Sequence, residues 1–182
     1  MDTHISFDGN SLHRKSIRLK EHNYSTAGGY FVTICTHQRE LLFGDILQGK
    51  MQTSECGNIL IRHWTEIPNH HQNVLLDEFV IMPNHLHGFI IINESVGLIH
   101  ESPLPQTIVE RRRMLLPKII GKFKMNSAKE INSFRRTPGE PVWQRNYYEH
   151  IIRNERDWQN IQRYIMDNPL RWSIDKENIG RE

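Results

Sequence analysis

Residues 74–92 read VLLDEFVIMPNHLHGFIII, and the architecture of the chain follows from this stretch. Two runs rich in β-branched and aromatic residues, 74–82 and 86–92, flank Pro83-Asn84, a pair suited to a tight turn, so the stretch is read as a β-hairpin. Upstream, Gly28-Gly29 ends a polar segment and YFVTICT (30–36) follows with the composition of a central strand. Residues 42–47 and 51–53, joined across Gln48-Gly49-Lys50, form a second hairpin inserted after it. Ser54 then stands as the N-cap of a helix that carries Ile59, Leu60, His63, Trp64 and Ile67 at intervals of three and four, until Pro68 ends it.

Downstream of the hairpin, 93–105 turns to Ser, Gly and Pro and is expected to be a surface loop. Residues 117–131 place apolar side chains at helical spacing with lysines between them. Residues 142–152, with Trp143, Tyr147, Tyr148, Ile151 and Ile152, read as a short strand or extended stretch. Asn154, followed by Asp157 three residues later, opens a last helix with Trp158, Ile161 and Ile165 as its buried stripe, and Pro169 closes it. Leaving the inserted hairpin aside, the order is strand, helix, strand, strand, helix, strand, helix. That order predicts an α+β fold: a ferredoxin-like (RRM-like) antiparallel sheet with helices on one face. One domain is expected over 14–172, after a disordered 1–13 and before a C-terminal tail, 173–182.

Composition narrows the function classes. The chain has 182 residues, 23 Lys+Arg against 21 Asp+Glu, and no apolar run long enough to span a bilayer. The N-terminus lacks the apolar core of a signal peptide, so a cytoplasmic protein is expected, with no membrane partner. Cys35 and Cys56 are too few for a disulfide framework and lack zinc-finger spacing; both are read as reduced core residues. The net charge of +2 conceals an asymmetry, because residues 110–136 hold nine bases and two acids, a local balance of +7. Arg14, Lys15, Arg18 and Lys20 make a second basic cluster. One such run is ordinarily a solvated face, whereas two favour a polyanionic partner.

His85 and His87 alternate with Leu86, so on a strand both imidazoles leave one face while Leu86 enters the core. Both can reach one metal ion. Tyr164 and Asn168 lie four apart on the last helix and share a face at the edge of its apolar stripe. Two imidazole nitrogens, an amide oxygen and a neighbouring phenol form a mixed nitrogen and oxygen set suited to Mg²⁺ or Mn²⁺ holding phosphate oxygens, unlike a closed structural zinc site. A phenol titrates near pH 10 and needs a cation beside it to act as a nucleophile on a phosphodiester. Among the other tyrosines, Tyr30 falls in a buried strand and Tyr24 precedes the domain; Tyr147 and Tyr148, beside His150, suit core packing or DNA stacking better than nucleophilic attack. His70-His71 are adjacent, not alternating, and make a poor chelate.

These residues stand in blocks that resemble the REP-associated tyrosine transposases, a bacterial branch of the single-tyrosine HUH transposases. The blocks are RKSIRLKEHNYS (14–25), YFVTICTHQRELLFGDI (30–46), LDEFVIMPNHLHGFIII (76–92), VWQRNYYEHIIRNE (142–155) and YIMDNPLRW (164–172), covering nearly the whole chain in order. The resemblance implies an HUH endonuclease and strand transferase. Such an enzyme cleaves single-stranded DNA beside hairpins of repetitive extragenic palindromes and forms a covalent 5′-phosphotyrosine. It implies His85 and His87 as the metal pair, Tyr164 as nucleophile, and Asn168 as the helix residue completing the metal site, where related insertion-sequence transposases carry Gln. DNA contacts are expected from Arg14, Lys15, Arg18, Lys118, Lys122, Lys129, Arg145, His150 and Arg153. The expected setting is the nucleoid, as monomer or homodimer. The contrasting expectation is a non-catalytic binder of nucleic-acid hairpins, since the same sheet serves RRM modules. Those present stacking aromatics where strand 86–92 presents histidines. Relaxases and replication initiators of the HUH class usually carry further domains, for which 182 residues leave little room.

Overall fold

A computed structural model describes residues 22–94 and 114–178. The 1–13 segment, the cluster at Arg14, Lys15 and Arg18, most of the 93–105 loop and Arg111 to Arg113 lie outside the described residues. The strands are β1 (Gly28–Cys35), β2 (Gly44–Leu47), β3 (Lys50–Thr53), β4 (Val74–Met82), β5 (His85–Ile92) and β6 (Tyr148–Ile152). The helices are α1 (Glu55–Thr65), the one-turn α2 (Ile67–His70), α3 (Leu115–Arg135) and α4 (Glu155–Asp167), followed by a 3₁₀ segment, Pro169–Ile174. The main sheet runs β4-β5-β1-β6 with every neighbour antiparallel, and β2 and β3 pair separately as the inserted hairpin. This is the ferredoxin-like order expected from the sequence.

Register determines what each face carries. β1 pairs with β5 as Phe31↔Phe89, Thr33↔His87 and Cys35↔His85 on one face, alternating with Tyr30↔Ile90, Val32↔Gly88 and Ile34↔Leu86 on the other. The second face holds the larger core, in which Tyr30, Val32, Ile34, Leu86 and Ile90 pack with Leu60 and Trp64 of α1 and Ile120 and Phe123 of α3. Each such side chain contributes about 1.5–3 kcal/mol on burial. Gly88 is glycine because the fully buried Trp64 indole lies over it: a Cβ built there would overlap the ring. Gly88→Ala is therefore expected to destabilise the fold by about 1–3 kcal/mol in urea denaturation, the usual cost of overpacking.

α4 lies on the opposite face of the sheet, where Ile165, Trp158 and Ile161 meet Phe31, Phe89 and Val80 in a smaller cluster. The expectation of helices on one face holds for α1 and α3 and fails for α4, whose stripe covers the sheet surface that β1 and β5 leave open. His150 of β6 pins it there through Asp157, Nε2 to Oδ2 2.9 Å.

Caps fall where the sequence puts them. Ser54 Oγ accepts from Gly57 N, and Asn154 Oδ1 accepts from Asp157 N. Three local expectations change. Pro68 does not terminate helical structure; it occupies the first turn of α2, where its missing N–H is no loss. The helix expected over 117–131 extends to Leu115–Arg135 and ends with Arg136 in the left-handed conformation. Tyr24 belongs to the core, being almost fully buried, with its ring 6.1 Å from that of Tyr30. Packing also continues past Trp172: Asp175 and Glu177 are buried, and Arg39 forms an ion pair with Glu177. Both cysteines are buried free thiols, as expected. No helix among the described residues is long and apolar enough to cross a membrane.

Candidate active site

The site lies between the sheet and α4. His85 and His87 leave the same face of β5, and their Nε2 atoms stand 3.0 Å apart. Neither imidazole is exposed: Tyr164 of α4 and Trp172 of the segment after it stand against them. Trp172 stands beside His85 with ring centroids 6.1 Å apart.

The second ring nitrogen of each histidine is held by a polar neighbour. Asn84 donates its Nδ2 hydrogens to the backbone oxygens of Glu177 (2.7 Å) and Arg39 (3.4 Å). Its Oδ1 therefore faces His85 as an acceptor, at 2.8 Å from Nδ1. His85 accordingly carries its proton on Nδ1 and leaves an Nε2 lone pair inside the site. His87 Nδ1 meets Thr33 Oγ1 at 2.8 Å, a hydroxyl that can donate or accept. Burial, reinforced by the Arg39 and Lys176 charges, pushes the His85 pKa down to about 3. Burial and the neighbouring His85 hold His87 well below the usual imidazole value. Both rings are neutral and able to act as ligands.

Tyr164 on α4 brings its hydroxyl to 3.2 Å from His87 Nε2, and its ring meets Phe31 edge to face. It is 37% exposed, so a strand can approach a phenol whose partners are buried. Burial, then the Asp175 carboxylate, raises its pKa, while Asn168 and Arg171 act in the opposite direction. Left alone, the group is a neutral phenol near pH 7.

Asn168, one turn on from Tyr164, is buried, and among the described residues its Oδ1 has no hydrogen-bond partner. A buried orphan oxygen costs about 1–3 kcal/mol unless something binds it. Asp175 completes the arrangement: one carboxylate oxygen and one nitrogen from each of His85 and His87 lie within 4.8 Å of one another. With the His85 lone pair 3.0 Å from His87 Nε2, either an Nε2 proton of His87 or a cation stands between the rings, and that spacing suits neighbouring corners of an octahedron with bonds of about 2.1 Å. The donor set fits a divalent metal.

The expected DNA-contact residues scatter. Lys118, Lys122 and Lys129 are exposed on α3, across the sheet from Tyr164. Lys124, from the same basic run, turns inward and donates to the backbone oxygens of Gln144 and Arg145. Arg145 and Arg153 are exposed before and after β6. His150 faces the site side of the sheet but is engaged by Asp157.

A protein of Haemophilus influenzae (strain ATCC 51907 / DSM 11121 / KW20 / Rd), described as an uncharacterized protein, is 43% identical to this chain over 166 residues, covering 90% of this chain and 92% of that one. This chain belongs to that protein's family. Among solved structures, a REP-associated tyrosine transposase bound to a REP hairpin matches with a TM-score of 0.52 and 18% identity, over 86% of this chain and 73% of that chain. The family member described here thus has the fold of that transposase. No protein-family model matches the chain.

Sequence reasoning missed Asp175, Asn84 and Thr33. Thr33 is signalled by its place opposite His87 once the strands are paired. Asn84 passes as a turn residue, and Asp175 sits in the polar segment read as a tail. Trp172 after Pro169 is the one hint that this segment packs back on the domain; the neighbouring Leu170 and Ile174 stay exposed.

Proposed function

We propose that this protein is a metal-dependent endonuclease and strand transferase for single-stranded DNA, in which Tyr164 is the nucleophile. Its substrates are strands beside REP-type hairpins, and it serves DNA transposition or REP mobilisation in the bacterial cytoplasm. The single observation carrying this reading is the Tyr164 hydroxyl 3.2 Å from His87 Nε2, on a side chain 37% exposed beside two buried imidazoles. His85, His87 and Asn168 would hold Mg²⁺ or Mn²⁺, with Asp175 as a further oxygen donor. When bound, the divalent ion supplies positive charge that favours phenolate and offsets charge building on the phosphate.

The chain's residues supply the rest. Tyr164 Oη forms a bond to phosphorus as the bond from phosphorus to the 3′ oxygen breaks. The phenol loses its proton to solvent, and the departing oxygen gains one to become a 3′-hydroxyl. Because the phosphodiester energy is retained in the phosphotyrosine, a 3′-hydroxyl on another strand can reverse the step and join DNA. Phe31 and His87 hold the phenol ring in place, and Thr33 and Asn84 hold the imidazoles. A denaturing gel of labelled hairpin DNA with the protein and Mn²⁺ tests the reading: a covalent adduct is expected, and its absence counts against it.

Lys118, Lys122 and Lys129 lie too far round the molecule to share a phosphate with Tyr164, so their proposed role is to hold DNA away from the cleaved bond. Lys122→Gln with Lys129→Gln is expected to weaken binding to all sequences alike and to flatten the salt dependence by about 0.7–0.9 per lost contact. Adduct formation at saturating DNA should keep its rate. An unchanged slope returns α3 to the status of a solvated face.

A further inference from the structure

β6 is an edge strand, and its Tyr148 pairs in register with Thr33, which itself pairs with His87. Tyr148 therefore projects on the site face, one strand away from the imidazoles. Its neighbour Tyr147 packs against the larger core on the other side. Tyr148 has no such burial and is 45% exposed. Phe31 braces it edge to face, with ring centroids 6.5 Å apart, and the same Phe31 ring contacts Tyr164 at 5.9 Å and His87 at 5.3 Å. The Lys176 ammonium stands 5.8 Å from the Tyr148 ring centroid, on a side chain that is otherwise largely solvated.

We propose that Tyr148 is a stacking platform for one unpaired nucleobase of the DNA strand bound at Tyr164, with Lys176 taking the adjacent backbone phosphate; this rests on the reading of Tyr164 as nucleophile. A large aromatic held at its edge on a sheet rim, with a largely solvated cation beside it, has the parts of a single-strand subsite: a π-face for the base and a charge for the phosphate. Lys176 covers the ring by cation–π attraction until a base replaces it. Only an unpaired base can present its own face, because within a duplex both faces are taken by neighbouring pairs. The platform therefore selects single-stranded DNA without reading its sequence, and it sets which nucleotide lies beside the scissile phosphate.

The test uses the full chain with Mg²⁺ in a Tyr164→Phe background, where no adduct forms, and fluorescence anisotropy with a REP-type hairpin bearing a single-stranded flank. Tyr148→Ala is expected to weaken binding about 5- to 150-fold, whereas Tyr148→Trp retains it. Moving one abasic site along the flank should cost a similar factor at one position in the parent and little further in Tyr148→Ala. Lys176→Gln should lower the salt slope by about 0.7. Binding by Tyr148→Ala within two-fold of the parent, or an abasic scan identical in both proteins, overturns the platform. The abasic scan of the parent alone decides the matter where the Ala variant folds poorly. A covalent adduct at Tyr164 with a flat scan removes the platform and spares the nucleophile, whereas no single-strand binding by the wild-type chain removes both.

Discussion

Tyr164→Phe is expected to abolish the covalent protein–DNA adduct while hairpin affinity stays within about two-fold, the range of a substitution that leaves packing intact. The change removes one oxygen. The ring keeps its edge-to-face contact with Phe31 and its place beside His87, so what is lost is the contact at 3.2 Å and the hydroxyl proposed as nucleophile. Labelled DNA on a denaturing gel reads the adduct, and the same oligonucleotide in an anisotropy titration reads affinity. Adduct formation by the Phe variant at the wild-type level, together with its loss in Tyr148→Phe, would move the nucleophile to the edge strand.

The second large effect is expected from His87→Ala, in two separable measurements. Mn²⁺ binding, followed by the electron paramagnetic resonance of the free ion, should weaken by at least about 10–100-fold, the factor that loss of an outer partner alone can cost. Stability in urea should fall by about 2–4 kcal/mol, because the ring is fully buried and its removal leaves a cavity and an unpaired Thr33 hydroxyl. Acid should mimic part of this. In the native state both imidazoles are neutral, whereas in the unfolded chain they bind protons near pH 6.5, so the unfolded state holds more protons once pH falls below that value, down to about 3 for His85. Stability contributed by the pair is therefore present above pH 6.5 and is lost as pH falls through that window. Equal Mn²⁺ binding by wild type and variant, or full adduct formation in excess EDTA, would remove the metal from the account.

Much of this site was legible because its two halves obey local periodicities. Alternation on β5 puts His85 and His87 on one face, and the helical repeat of α4 puts Tyr164 and Asn168 on another, so a correct strand and a correct helix nearly suffice. The Asn154 cap and the Pro83-Asn84 turn, both visible in the sequence, fix where those elements begin. What stayed hidden depends on contact between distant parts of the chain. Asp175 reaches the imidazoles only because Asn84, Arg39 and Glu177 draw the segment after α4 back over β5. The side of the sheet chosen by α4 was equally unreadable, since an amphipathic stripe states that a helix is covered without stating by which surface. Burial of the histidines follows from that choice, and so does the expected stability loss in His87→Ala.

The sheet separates two apolar clusters of unequal size. One holds α1 and α3 through more than twenty buried side chains; the other holds α4 through Phe31, Phe89, Ile165 and a few half-buried neighbours. Free energies of local opening scale with such contacts, so α4 and the 3₁₀ segment behind it form a unit that can lift at a cost well below that of unfolding the domain. Tyr164, the proposed nucleophile, thus rides on the layer with the smaller apolar contact while the imidazoles sit on a strand of the larger core. Disengaging that layer would separate Tyr164 from His87 and leave the larger core intact, so local opening of α4 is the expected route by which solvent reaches the buried imidazoles.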